Sequence, residues 1–147
     1  MSERPRRLLD PFDAMRATRT LAPHDPKLND LRWLAGEALR HLHARAHFDT
    51  LRSAPADRLP AAAPSAFLPL TDKTLAARDL LKACEAEAGA ASWPIVVRIV
   101  LEGAGVRDCR ALVPEIATPW RADAVVTDRL RLALDRFKPL LGLGALR

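Results

Sequence analysis

The chain has 147 residues, 49% hydrophobic and 28% charged, a size and balance that fit one ordinary globular domain and exclude a chain too polar to bury a core. Lys and Arg number 23 against 18 Asp and Glu, for a net charge of +5 and a pI near 10.0. That surplus suits a polyanionic partner, and Arg, which grips phosphate in a planar fork, supplies most of it.

The basic start, Met1 to Arg7, lacks the apolar run of a secretory signal, and the most apolar stretch, Trp93 to Leu101, is interrupted by Arg98. Neither export nor membrane spanning is expected, and two thiols with no need to pair agree with a reducing cytoplasm. With no Tyr, 12 Pro and no sustained alternation of Val or Ile with polar residues, an all-α fold follows.

In the first half, Asn29 or Asp30 is expected to cap a helix running to about Arg52, because Leu31, Ala35, Ala38, Leu39, Leu42 and Ala46 share one stripe. Ser53 to Leu70 holds Pro55, Pro60, Pro64 and Pro69 in an Ala-rich run, which reads as a linker. Residues 1–52 are therefore taken as a helical amino-terminal region, 53–70 as the linker and 71–147 as a second unit.

Thr71 and Asp72 look like a cap for a helix carrying Ala76, Ala77, Leu80, Leu81, Cys84 and Ala88 on one face, ended by Gly89. Ser92 is expected to cap the next helix, apolar on all sides except Arg98 and Glu102 and hence buried. After Gly103 and Gly105, a short helix should turn Val106, Cys109, Leu112 and Val113 inward and Arg107 and Arg110 outward. Thr118 and Pro119 open the last helix, with Ala122, Val126, Leu130, Ala133, Leu134 and Phe137 inward and Pro139 as its stop.

The last three segments have the plan of a tri-helical, helix-turn-helix-like DNA-binding domain. On the final helix Arg121, Val125, Arg129, Leu132 and Arg136 form a stripe away from the core, suited to phosphates or base edges, with Arg107 and Arg110 placed to grip the backbone. Double-stranded DNA is the expected partner. Val125 and Leu132 within the stripe also admit docking on a protein, and Trp33 and Phe48 share an angle that allows a second docking surface.

His43 and His47 stand four apart but lack a third ligand, and Ala44 replaces the glutamate of the zinc-protease pattern. Cys109 lies on an apolar side with no histidine near it in sequence, and there is no phosphate-binding glycine loop, nucleophile elbow or carboxylate pair. No enzyme activity, cofactor or metal is expected.

The order of segments carries a resemblance. Asp10-Pro11-Phe12-Asp13-Ala14 followed by Asp25-Pro26, then Leu34-Ala35-Gly36-Glu37-Ala38-Leu39-Arg40, Leu70-Thr71-Asp72 with Leu75-Ala76-Ala77-Arg78, and Arg129 to Arg136, together resemble an alphaproteobacterial helix-turn-helix-like domain. That domain occurs in phage-like regulators, including activators of gene transfer agents. The resemblance implies a DNA-binding transcriptional activator acting beside RNA polymerase or a sigma factor; the alternative is an adaptor that docks on them without reading DNA. This chain departs from the family in its Pro119-Trp120-Arg121-Ala122-Asp123 start, where Asp123 would repel phosphate.

Overall fold

The computed structural model describes residues 9–53 and 72–143, with side chains through His47 and from Asp72 onward. The proline-rich run, the Thr71 cap and the Phe48 side chain lie outside the described residues. The regular elements of the described residues are all helices: α1 (Pro11–Ala17), α2 (Pro26–Ser53), α3 (Asp72–Val96), a π-helical turn (Val97–Leu101), a 3-10 helix (Val106–Leu112) and α4 (Pro119–Leu140). No helix among the described residues is long and apolar enough to cross a membrane.

Helix α1 forms where the Asp10 carboxylate accepts from the Phe12 backbone N–H at 3.0 Å and Pro11 takes the first helical position, where its missing N–H costs nothing. Helix α2 begins earlier than expected. Pro26 opens it, and the Asp25 carboxylate accepts from the Leu28 N–H at 3.1 Å. Asn29, the expected cap, is instead buried, accepting from the Ala22 N–H at 3.2 Å and donating to the Arg16 carbonyl at 3.0 Å. It ties together the turn between α1 and α2.

Helix α3 is broken at Gly89, whose φ of 80° and ψ of 169° leave the helical region, so the expected end is there. Helix resumes at once, which places Ser92 inside it, buried, rather than at its cap. Ile95, Val96, Ile99 and Val100 are covered, while Arg98 and Glu102 pair at 3.0 Å on the exposed side. The Glu102 N–H reaches back five residues to the Val97 carbonyl at 2.9 Å, the signature of the π turn.

In the 3-10 helix Cys109 is covered and Val106 half-buried, but Leu112 is 36% exposed; Val113, just past the helix end, is the residue that turns inward. All six inward residues expected on α4 are buried. At roughly 1.5 to 3 kcal/mol for each covered Val, Leu or Phe, this stripe is a main source of stability. Phe137 meets the Trp93 ring edge-on, with centroids 6.3 Å apart. Pro139 does not stop α4. The stop is Gly142, at φ 78°, where the Leu143 N–H bonds the Lys138 carbonyl at 2.7 Å and the Gly142 N–H bonds the Pro139 carbonyl at 3.4 Å.

One core runs through both sides of the proline-rich run: Phe12, Met15, Leu21, Ala35 and Leu39 join Cys84, Ile95, Ile99, Cys109, Leu130 and Phe137 in a single cluster. Arginines lace the same halves together. Arg32 of α2 donates Nε and Nη2 to both oxygens of Asp135 on α4 at 2.9 and 2.7 Å, and Arg131 of α4 bonds the Thr20 carbonyl. Arg40 gathers Asp10, Asp13 and the Val100 carbonyl, the last at 2.7 Å from its Nε. The cluster thus draws on residues from both sides of 54–71.

Candidate nucleic-acid interface

The core stripe of α4 sets which side chains face outward, and the exposed line is Arg121, Ala124, Asp128, Leu132 and Arg136. Arg121 and Arg136 are fifteen residues apart, roughly 22 Å along the axis. Val125 and Arg129, expected on this line, sit on its flank. Val125 packs against the core, and the Arg129 side chain is 28% exposed, with Nη2 at 3.5 Å from the Glu115 carboxylate. Asp128 takes the middle of the exposed line and draws Arg131 to 3.4 Å.

Arg110 and Asp123 form a two-point pair. Nε and Nη2 of Arg110 donate to Oδ1 and Oδ2 of Asp123, each at 2.8 Å, joining the 3-10 helix to the first turns of α4. The hydrogen bond from Arg110, with the nearby charges of Arg110 and Arg107, holds the Asp123 carboxyl below its ordinary range. Asp123, expected to repel phosphate, is thus charge-balanced by its neighbours. Arg107 is exposed and has no ion pair among the described residues, and the same is true of Arg121 and Arg136; Arg136 reaches only the Glu87 carbonyl at 3.3 Å.

Trp120 is not among the candidates the sequence singles out, yet it is 67% exposed at the start of α4, with the Arg121 guanidinium 5.3 Å from its ring centroid. A Trp directly after a helix-opening Pro, ahead of the first inward residue Ala122, was the available signal. Arg121 also borders a cleft of about 450 Å³ lined by Glu115, Ile116, Ala117, Thr118, Ala124 and Val125.

Trp33 is held in the fold: its indole N–H donates to Asp13 at 2.9 Å and the Arg16 guanidinium lies 4.1 Å over its ring. It does not join the α4 surface. His47 Nδ1 contacts the His43 carbonyl at 2.9 Å, and burial, then the neighbouring His47, lowers the pKa of His43. Among the described residues no group of three or more His, Cys, Asp or Glu is placed to hold a metal ion. Both thiols are fully covered, and burial pushes Cys84 up to about 11 and Cys109 upward as well, so neither is poised as a thiolate. Compared with known proteins, the chain matches no family model, no curated protein and no solved structure.

Proposed function

We propose that the chain is a DNA-binding transcriptional regulator, an activator of phage-derived genes that works beside RNA polymerase. The observation that carries this reading is that Arg107, Arg121 and Arg136, exposed on the 3-10 helix and α4, form no ion pair among the described residues; Arg19 and Arg45 are exposed and without an ion pair as well, but lie before α2 and on it. The contrast is with Arg16, Arg32, Arg40, Arg98, Arg110, Arg129 and Arg131, each of which has an acidic partner. Two cations roughly 22 Å apart on one helix span a major groove of about 12 Å and reach a phosphate on either side. In a helix-turn-helix-like pose α4 enters the groove and the 3-10 helix lies along the backbone, with Arg107 on a phosphate. The resemblance drawn from the sequence supports the same reading.

Fluorescence anisotropy on a labelled promoter-length duplex across a salt series tests it. The Arg107→Ala, Arg121→Ala, Arg136→Ala triple variant is expected to bind more weakly at every sequence, with the salt slope reduced by about 0.9 for each phosphate that is no longer neutralised. Unchanged affinity and slope in a folded triple variant overturn the reading. Leu132, 48% exposed in the middle of the same face, favours a second reading, an adaptor docked on a sigma factor or on the polymerase. Under that reading Leu132→Asp abolishes co-purification with polymerase while the triple variant keeps it.

A further inference from the structure

The proposed arginine surface leaves one conspicuous side chain without a role, the exposed Trp120. A Trp ring open over two-thirds of its area is an unsatisfied apolar plane of the kind that soluble proteins place at contact sites. Its surroundings are cationic. Arg121 stacks near one side, and Asp123, one helical turn along from Trp120, brings in Arg110 of the 3-10 helix and Arg107 beyond it. Because Asp123 engages Nε and Nη2 of Arg110, the guanidinium is fixed while its Nη1 has no hydrogen-bond partner among the described residues.

An apolar plane with Arg121 beside it, and with Arg110 and Arg107 gathered at Asp123 one turn along, fits a ligand that presents a flat ring and a negative charge a few ångströms apart. Paired DNA does not offer that, since its base faces are covered by their neighbours in the stack. An unpaired strand does: every base has a π-face, and each is tethered to a phosphate. Resting on the nucleic-acid reading above, we infer that Trp120, Arg121, Arg107 and Nη1 of Arg110 form a binding site for single-stranded DNA, with a base stacked on Trp120 and the adjoining phosphates on the arginines. The site sits at one end of α4, so the chain holds a duplex along that helix and an opened strand at its start.

The experiment uses the full chain with labelled dT20, a 20-base-pair duplex and polyglutamate, read by anisotropy and by tryptophan emission. Trp33 and Trp93 are part-buried, so quenching by a bound base reports mainly on Trp120. The wild type is expected to bind dT20 with quenching, and polyglutamate is expected to leave emission unchanged. Trp120→Ala is expected to lose about tenfold or more in dT20 affinity, Trp120→Phe to keep most of it, and duplex affinity to change less than twofold in either. Circular dichroism should be native in both variants, because the side chain is exposed.

Duplex binding with dT20 affinity indifferent to Trp120→Ala overturns the inference and leaves the regulator reading standing. So does equal quenching by polyglutamate, which would make the patch a generic anion surface. Binding of neither DNA form overturns both.

Discussion

At the scale of single residues, Gly36 shows how a small side chain can set a whole contact. A Cβ added there would lie 2.3 Å from Cε2 and Cζ of Phe12, a ring that is completely buried and has the Arg40 guanidinium 5.2 Å from its centroid. The ring has nowhere to go, so Gly36→Ala is expected to cost roughly 1 to 3 kcal/mol and to lower the thermal midpoint by several degrees. A melt within one degree of wild type would show that the α1 to α2 contact gives way more easily than its packing implies. Asp135 carries a pH dependence. Burial works against its charge, but the two bonds from Arg32 and the charge of Lys138 prevail and lower its pKa. A carboxyl lowered by folding stabilises above its unfolded value, near 3.9, and that contribution fades as pH falls from there through the lowered value. The stability gap between wild type and Asp135→Asn, measured by denaturant unfolding, is expected to be largest at pH 7 and to narrow below about pH 4. An equal gap at both ends would remove the Arg32 pairing as its cause. The outward arginines are legible by helical spacing. Which of them are neutralised is not, because Arg110 meets Asp123 and Arg129 meets Glu115 only once a 3-10 helix and a loop return to α4.

At the scale of elements, periodicity serves best where a helix is long and single-faced. The inward stripe of α4 and its Thr118-Pro119 start follow from spacing and from the fixed φ of proline, and both stand in the structure. Terminations are harder to read, because a proline near a helix end is compatible with either side of the boundary. Pro139 sits within the last turn, and the chain turns away at Gly142. The π turn has no signal in the hydrophobic pattern, since Val97 to Leu101 is apolar at nearly every angle. Gly89 reads as a helix end in the sequence and is a kink, with φ 80° and ψ 169° in a region essentially reserved for glycine. No atom lies within 4 Å of a Cβ built there, so the cost of Gly89→Ala is purely that of the backbone. It is expected to be about 1 to 3 kcal/mol, against about 0.4 to 1 kcal/mol gained when Ala replaces Gly where the backbone allows it. Chemical denaturation decides the sign. A stabilised variant would mean that α3 straightens without loss.

At the scale of the whole molecule, charge and connectivity bear on function together. The described residues hold 18 Lys and Arg against 16 Asp and Glu, so the folded body is close to neutral. The rest of the surplus belongs to the two ends of the chain, Arg4, Arg6 and Arg7 against Glu3 at one and Arg147 at the other. On the proposed reading, attraction of the body to DNA is therefore local, through arginines such as Arg107, Arg121 and Arg136, rather than a matter of net charge. Those three depend on one core, and that core is built from both sides of residues 54–71. Leu39 of α2 shares the cluster with Ile99 and Phe137, and the Arg32 to Asp135 pair joins segments 103 positions apart. Proline content at 53–70 reports only local backbone preference; contacts between residues a hundred positions apart leave no trace in a window of a dozen. The consequence is measurable. With a specific protease site inserted between Ala61 and Ala66 and cut to completion, the two fragments are expected to co-elute in native buffer at the size of the intact chain. They should separate only in denaturant, because splitting them would expose Phe12, Leu21 and Leu39 on one side and Ile99, Leu130 and Phe137 on the other. At roughly 2 to 3 kcal/mol for each such side chain, exposure outweighs the entropy gained by freeing one fragment from the other at micromolar concentration. The same cut should leave duplex affinity within about twofold of the intact chain, since Arg107, Arg121 and Arg136 stay on a complete core. Fragments that part in native buffer, with residues 72–147 still folded and binding DNA alone, would place a domain boundary at the proline-rich run.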